Sequence, residues 1–369
     1  MIIFVDAHFL DGRKHGAANF LERLYSQYMD MAPHHEIYFG VESGAPTNYD
    51  LFQRPGVHVL RYRVGGAMRF LIDIPILARR IKPDIIHTQY VIPLRLGYSA
   101  KRHVTLFDVL YEDFPDLFNI TYRWVRTLVF GSSARRADML STCSEYSKER
   151  ILALYRPHAE IIHVIHGGVM EALKEEIGLI KAHPGEFLLY VSRFEKRKNH
   201  LSLLKAFTIL LGEFPKLKLV LVGFDVDGSL AECDRYIDEH GIRANIQVLS
   251  NISDAHITNL FRTAKVVVYP SLCEGFGMPI IESMLLNSKT IFSNTTAMSD
   301  FSFAPKNTFD PTNFDAMVGM IRSLLSDNTS DSAEWQQQRR FIAEKYNWKR
   351  SAEILLGIHE PAHTKPVVG

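Results

Sequence analysis

Two stretches of the chain gather the residue types needed to hold a ligand rich in phosphate and hydroxyl groups. The first, CEGFGMPIIESM at residues 273–284, follows the apolar run VVVYPS. Gly275 and Gly277 let the backbone approach a ligand closely, and Pro279 suits the first turn of a helix, where its missing N–H costs nothing. A helix starting there aims its N–H groups and the positive end of its dipole beyond the strand ends, which favours phosphate. Glu274 before the loop and Glu282 one turn into the helix are spaced to take different hydroxyls of one ligand. A plain strand-to-helix corner with solvated glutamates is the alternative. The second stretch, YVSRFEKRKNHLSLLKAF at residues 190–207, occupies another strand-to-helix corner. Arg193 and Lys198 stand just past its strand, where two cations neutralise a diphosphate and stabilise it as it leaves. Glu195, Lys196 and Arg197 between them read as solvated loop charges.

These corners need strands and helices to hold them. Short runs rich in Val and Ile alternate with segments of helical period, the pattern of a parallel sheet covered by helices. In the first half the strands are expected at 2–5, 36–39, 57–60, 85–88, 103–107, 139–142 and 161–164, with helices at 17–31, 69–80, 122–136 and 145–154. The pattern weakens over 171–186, where a linker is expected. It then restarts with strands at 187–191, 217–222, 246–249, 266–269 and 290–292 and helices at 200–211, 230–240, 254–263 and 280–286. The expected organisation is α/β with two doubly wound domains, 1–175 and 186–345. The closing segment 346–369 begins as an amphipathic helix whose Trp348 and Leu355 need an apolar surface to cover, expected on the first domain.

The pair R-x4-K at Arg193 and Lys198, followed by E-x7-E at Glu274 and Glu282, resembles the retaining glycosyltransferases of family four, which have the GT-B fold. HGAANFLERL, SEYSKERI and IHGGV resemble further family segments, so the likeness extends over nearly the whole chain. It implies two Rossmann-like domains facing a central cleft, closing on a nucleotide diphosphosugar donor (GDP- or UDP-linked). Arg193 and Lys198 would bind the diphosphate, Glu282 the ribose hydroxyls and Glu274 the transferred sugar. Main-chain groups at Phe276, Gly277 and Met278 would complete the donor site. Gly16 would let the first domain approach the same phosphates, and Gly223 would be a second close-approach glycine, with an ordinary turn glycine as the other reading. No metal or other cofactor is implied; Asp225 and Asp227 in FDVDGS read as a turn. Where many relatives carry a His-Asp pair, this chain has Phe107 and Asp108. Asp108 either orients the acceptor hydroxyl or caps the following turn, and His87, in DIIHTQY, is either a second acceptor-side group or a structural histidine.

The resemblance implies retaining transfer of a hexose, with mannose favoured, to a glycan or lipid-linked acceptor of cell-surface polysaccharide such as lipopolysaccharide. A sugar-nucleotide epimerase of the same fold and a non-catalytic binding subunit remain alternatives. Composition sets outer limits. The 369 residues are 47% hydrophobic and carry a formal net charge of +1, enough for two cored domains and too balanced to argue for nucleic acid. Cys143, Cys233 and Cys273 lack zinc or disulfide spacing, which points to a reducing cytoplasm. MIIFVDAHFL reads as a buried strand and not as a secretion signal, and no run suits a bilayer span. MRFLIDIPILARRIKP and WVRTLVFGSSARR read either as core helices or as surfaces for peripheral contact with the inner face of a membrane.

Overall fold

The computed structural model describes residues 1–12, 16–93, 99–169, 186–286, 289–327 and 333–360. The chain divides into two units, one made of residues 1–168 with the segment from Tyr346 onward, the other of 169–345. The linker expected at 171–186 lies almost wholly outside the described residues.

In the first unit, seven parallel strands form one sheet: β1 (Ile2–Asp6), β2 (Glu36–Val41), β3 (Val57–Arg61), β4 (Ile85–Gln89), β5 (Lys101–Thr105), β6 (Met139–Thr142) and β7 (Ile162–Val164), in the order β3-β2-β1-β4-β5-β6-β7. Helices α1 (Gly16–Met31), α2 (Asp73–Ile81), α3 (Leu110–Asp113), α4 (Ile120–Arg136) and α5 (Glu145–Tyr155) connect them. The second unit repeats the plan with β8 (Phe187–Val191), β9 (Lys218–Val222), β10 (Ile246–Leu249), β11 (Val266–Tyr269), β12 (Thr290–Ser293) and the short β13 (Thr308–Phe309), ordered β10-β9-β8-β11-β12-β13. Its helices are α6 (His200–Leu211), α7 (Ser229–Glu239), α8 (Asp254–Thr263), α9 (Met278–Leu285), α10 (Phe314–Ser326) and α11 (Ala333–Lys345). Both units are Rossmann-like: strand order reverses between β1 and β4 and again between β8 and β11, the places where such sheets bind ligands. Valine, isoleucine and leucine fill the strands because both sheet faces are covered.

Two expectations change. The helix expected over 69–80 is split into a 3₁₀ turn, Gly66–Phe70, and α2, because the Asp73 carboxylate accepts hydrogen bonds from the Arg63 and Val64 amides at 2.8 Å each. β5 opens and ends two residues earlier than expected, its first amide, Lys101, bonding to Asp84 O.

The closing helix α12 (Trp348–His359) belongs to the first unit and packs on α1. Trp348 sits edge-on to Phe20 and fills the space a Cβ on Gly168 would occupy.

Candidate functional site

In the second unit, the loops after β8 and β11 flank the reversal of strand order and are tied together by hydrogen bonds to main-chain carbonyls. Leu272 N donates to Arg197 O at 2.8 Å, and Asn199 Nδ2 donates to Pro270 O at 3.0 Å. Tyr190, the fourth residue of β8, donates its hydroxyl to Lys198 O. This lacing fixes where the side chains of the two loops meet.

Charged side chains form a connected set across that junction. Lys198 Nζ lies 2.5 Å from Glu274 Oε1, and Arg197 Nη1 lies 3.1 Å from Glu274 Oε2. Arg197 Nε reaches Glu195 Oε2 at 2.7 Å, and Arg193 Nη2 reaches Glu195 Oε1 at 2.7 Å. Arg193, expected beside Lys198, therefore joins it through Glu195, Arg197 and Glu274. Lys196 is exposed as expected, but Arg197 and Glu195 are not loose loop charges. The segment Lys196–Lys198 is a 3₁₀ turn, whose three residues point in three directions; one faces solvent and two face the β11 loop.

Glu274 is buried, and burial alone raises a carboxyl pKa. Lys198 and Arg197, with a hydrogen bond from Ser271 Oγ, overcome that and hold it down at about 2. Burial lowers the Lys198 pKa while Glu274 opposes the shift. Thr296 Oγ1 accepts the Glu274 amide at 2.9 Å, fixing the backbone as well. Buried charges persist only when paired in this way.

Helix α9 begins just beyond. Gly277 is its N-cap at φ +102°, a conformation that favours glycine, and Pro279 lies in the first turn. The first turn of any helix leaves N–H groups without intrahelical acceptors. Phe276 is buried against Phe301, and Met278 is partly exposed. Glu282 is partly exposed on α9, and its charge helps raise the pKa of Tyr269, after burial as the main cause. Gly223 has a packing reason of its own: a Cβ there would collide with the Ser192 carbonyl oxygen. Asp225 and Asp227 accept backbone amides, Gly228 N at 3.1 Å and Lys196 N at 3.0 Å respectively, and so hold the turn into α7.

The first unit distributes its polar groups differently. Gly16 opens α1 and is exposed, with no atom within 4 Å of where its Cβ would stand. Asp108 accepts a long hydrogen bond, 3.4 Å, from Leu110 N at the start of α3. Phe107 belongs to an aromatic group with Phe9, Phe20 and Tyr90. His87, offered as either an acceptor-side group or a structural histidine, is buried: Nδ1 meets Tyr25 OH at 2.6 Å and Nε2 meets Thr105 Oγ1 at 2.8 Å. Its ring stacks on His103, its partner in the β4–β5 register, and burial lowers its pKa to about 3. With both nitrogens engaged, it presents none to an acceptor.

The exposed large apolar side chains include Ile120, Trp124, Val125 and Leu128 of α4, with Trp124 and Leu128 66% and 67% exposed. Among the described residues, no helix is long and apolar enough to cross a membrane.

Two family models together match most of the chain: "Glycosyltransferase Family 4" over residues 15–172 and "Glycosyl transferases group 1" over 174–348. Similar sequences include the serotype-specific mannosyltransferase WbdA of Escherichia coli, 24% identical over 62% of this chain and 28% of WbdA. O-antigen chain mannosyltransferase B of E. coli is 28% identical over 52% of this chain and 53% of its own length. The chain thus spans between about a quarter and about half of these relatives. Among solved structures, a sucrose-phosphate synthase from Thermosynechococcus elongatus aligns with a TM-score of 0.78, 16% identity and 98% coverage of both chains. Anabaena HepE in complex with UDP and glucose aligns at 0.74, 16% identity, 97% of this chain and 99% of the other.

Proposed function

Because the chain belongs to glycosyltransferase family four, we propose that it is a retaining hexosyltransferase drawing on a nucleotide diphosphosugar. The observation that carries this reading is the ion-pair set Arg193–Glu195–Arg197–Glu274–Lys198, laced across the strand reversal of the second sheet and adjoining the start of α9. Lys198, Arg193 and the first turn of α9 receive the pyrophosphate. As negative charge builds on the departing nucleotide, their attraction grows beyond its ground-state value, which is how such contacts speed a reaction. Glu274 holds two of the cations in place before the donor arrives and meets the sugar after it, while Glu282 takes the ribose hydroxyls. Phe276, Gly277 and Met278 offer main-chain groups, and Gly16 permits close approach to the same phosphates. Asp108 is the acceptor-side group.

Mannose from GDP-mannose is the proposed donor, supported by the mannosyltransferases among the relatives. The acceptor is a glycan or lipid-linked glycan, and the exposed face Ile120, Trp124, Val125 and Leu128 of α4 gives the chain a peripheral hold on the membrane that carries it. The test is transfer from GDP-mannose and from UDP-glucose by the wild type and by Lys198→Ala. Acceptor-dependent release of GDP that disappears in the variant is expected. Equal turnover in the two proteins, or conversion of the donor with no acceptor present, counts against the reading.

A further inference from the structure

Among the described residues, two groups of three metal-capable side chains have ligand atoms within 4.8 Å of one another: His87, His103 and His359, and His34, His35 and Glu360. The first is not arranged to hold an ion. The rings of His87 and His103 stack with centroids 4.0 Å apart and planes only 5° apart, so no common point lies in both ring planes, where the nitrogen lone pairs must meet a metal. Their nitrogens are already engaged with Tyr25, Thr105, Ser141 and His359.

The second group has the opposite geometry. His34 and His35 follow α1 in the turn into β2, and Glu360 follows α12. The two rings are inclined at 68°, so their planes intersect and the lone pairs can converge. His34 Nε2 lies 3.7 Å and His35 Nε2 2.6 Å from the same oxygen, Glu360 Oε1. Four-coordinate ions with bonds of about 2.1 Å set their ligand atoms roughly 3.4 Å apart, a separation these two distances bracket. His35 is the fixed member: its side chain is fully buried and its Nδ1 is bonded to Tyr28 OH at 3.1 Å, the kind of supporting contact that orients a ligating imidazole. His34 and Glu360 are exposed and can turn to meet it.

We propose that His34, His35 and Glu360 bind a divalent transition-metal ion of zinc's class, which pins the end of α12 to the turn between α1 and β2. Two imidazoles and a carboxylate suit zinc, nickel or copper better than magnesium or calcium, and solvent supplies the fourth position. The two segments are 325 residues apart in sequence, so the ion closes a very long loop. The proposal is independent of glycosyl transfer.

Calorimetric titration of the untagged full chain with Zn²⁺ and Ni²⁺ is expected to show one ion per molecule, with a Tm that climbs as free metal rises. His34→Ala, at an exposed position that spares the fold, and Glu360→Gln are each expected to weaken binding about tenfold or more and to shift the Tm rise to correspondingly higher free metal. Absence of saturable binding, or unchanged affinity in both variants, overturns the proposal.

Discussion

The two sheets share one strand order over six strands, yet the residues at their reversals differ in kind. At β8 and β11 the chain places five charged side chains in a connected set and keeps Glu274 ionised although it is buried. In the first unit, the loop after β5 carries Phe107 among other rings, and the histidines of β4 and β5 stack as neutral groups beneath α1. Charge also occurs near the first reversal: Asp6 is paired with Arg69 and His8 and its pKa is about 2 despite burial, but a hydroxyl from Tyr62 completes its shell. Identical topology therefore supports one surface built around exchangeable charge and another whose polar groups satisfy each other. Function resides in the loops grafted on the sheets, not in the sheets themselves.

Substitutions at the two reversals sharpen the contrast. Lys198→Ala is expected to lower kcat/KM by about 10²–10³-fold, the cost of losing one charge-stabilising donor, whereas Asp108→Asn in the first unit is expected to cost less; steady-state kinetics with saturating acceptor decides. Arg197→Ala follows at about 10–10²-fold, and full activity there would return Arg197 to the status of a surface charge.

Acidification should separate the units next. His87 falls from an ordinary 6.5 to about 3 on folding, and His103 falls well below its usual value, in both cases through burial first. Their contribution is intact above the unfolded value and is lost as pH drops below about 6.5, by up to about 1.4 kcal/mol per pH unit for each proton taken up. Glu274, at about 2 against 4.5 unfolded, keeps its contribution until pH falls below about 4.5. The second unit has its own buried histidine, His200, at about 3. Hydrogen exchange between pH 7 and pH 5 is thus expected to lose protection more steeply in β4 and β5 than in β8 and β11; parallel loss would remove the distinction.

A pair of glycines gives the smallest effects. Gly223→Ala is expected to destabilise the second unit by about 1–3 kcal/mol through overpacking. Gly16→Ala should leave Tm nearly unchanged while raising the KM for donor. An unaltered donor KM would show that position 16 needs no glycine for binding.

Much of the fold was legible because buried parallel strands are short, apolar and regularly spaced: β6, β8, β10 and β11 fall on the expected residues. Glu274, Glu282 and Lys198 stood out through loop chemistry that a strand-to-helix corner makes specific. Arg197 did not. Its role depends on which way one residue of a 3₁₀ turn points and on a partner 77 positions away, neither of which leaves a local signal. His87 stayed undecided between its two readings for a related reason. A strand buried on both faces carries no alternation to tell which side chain lies inward, and its neighbour His103 is found only through sheet register. The break between Phe70 and Asp73 arises from Asp73 turning back to Arg63 and Val64, a contact that helical periodicity does not encode.

The closing helix has a consequence for biosynthesis. Phe20 and Tyr28 are covered by Trp348 and His359, the last of these 331 positions beyond Tyr28, so a ribosome must have passed residue 359 before the first unit can seal its own interior. Domains whose segments are contiguous can fold as they emerge. Here the second unit, all of whose residues lie inside that interval, is free to reach its native state first, and the strands and helices of the first unit would wait, partly open, for α12 to arrive.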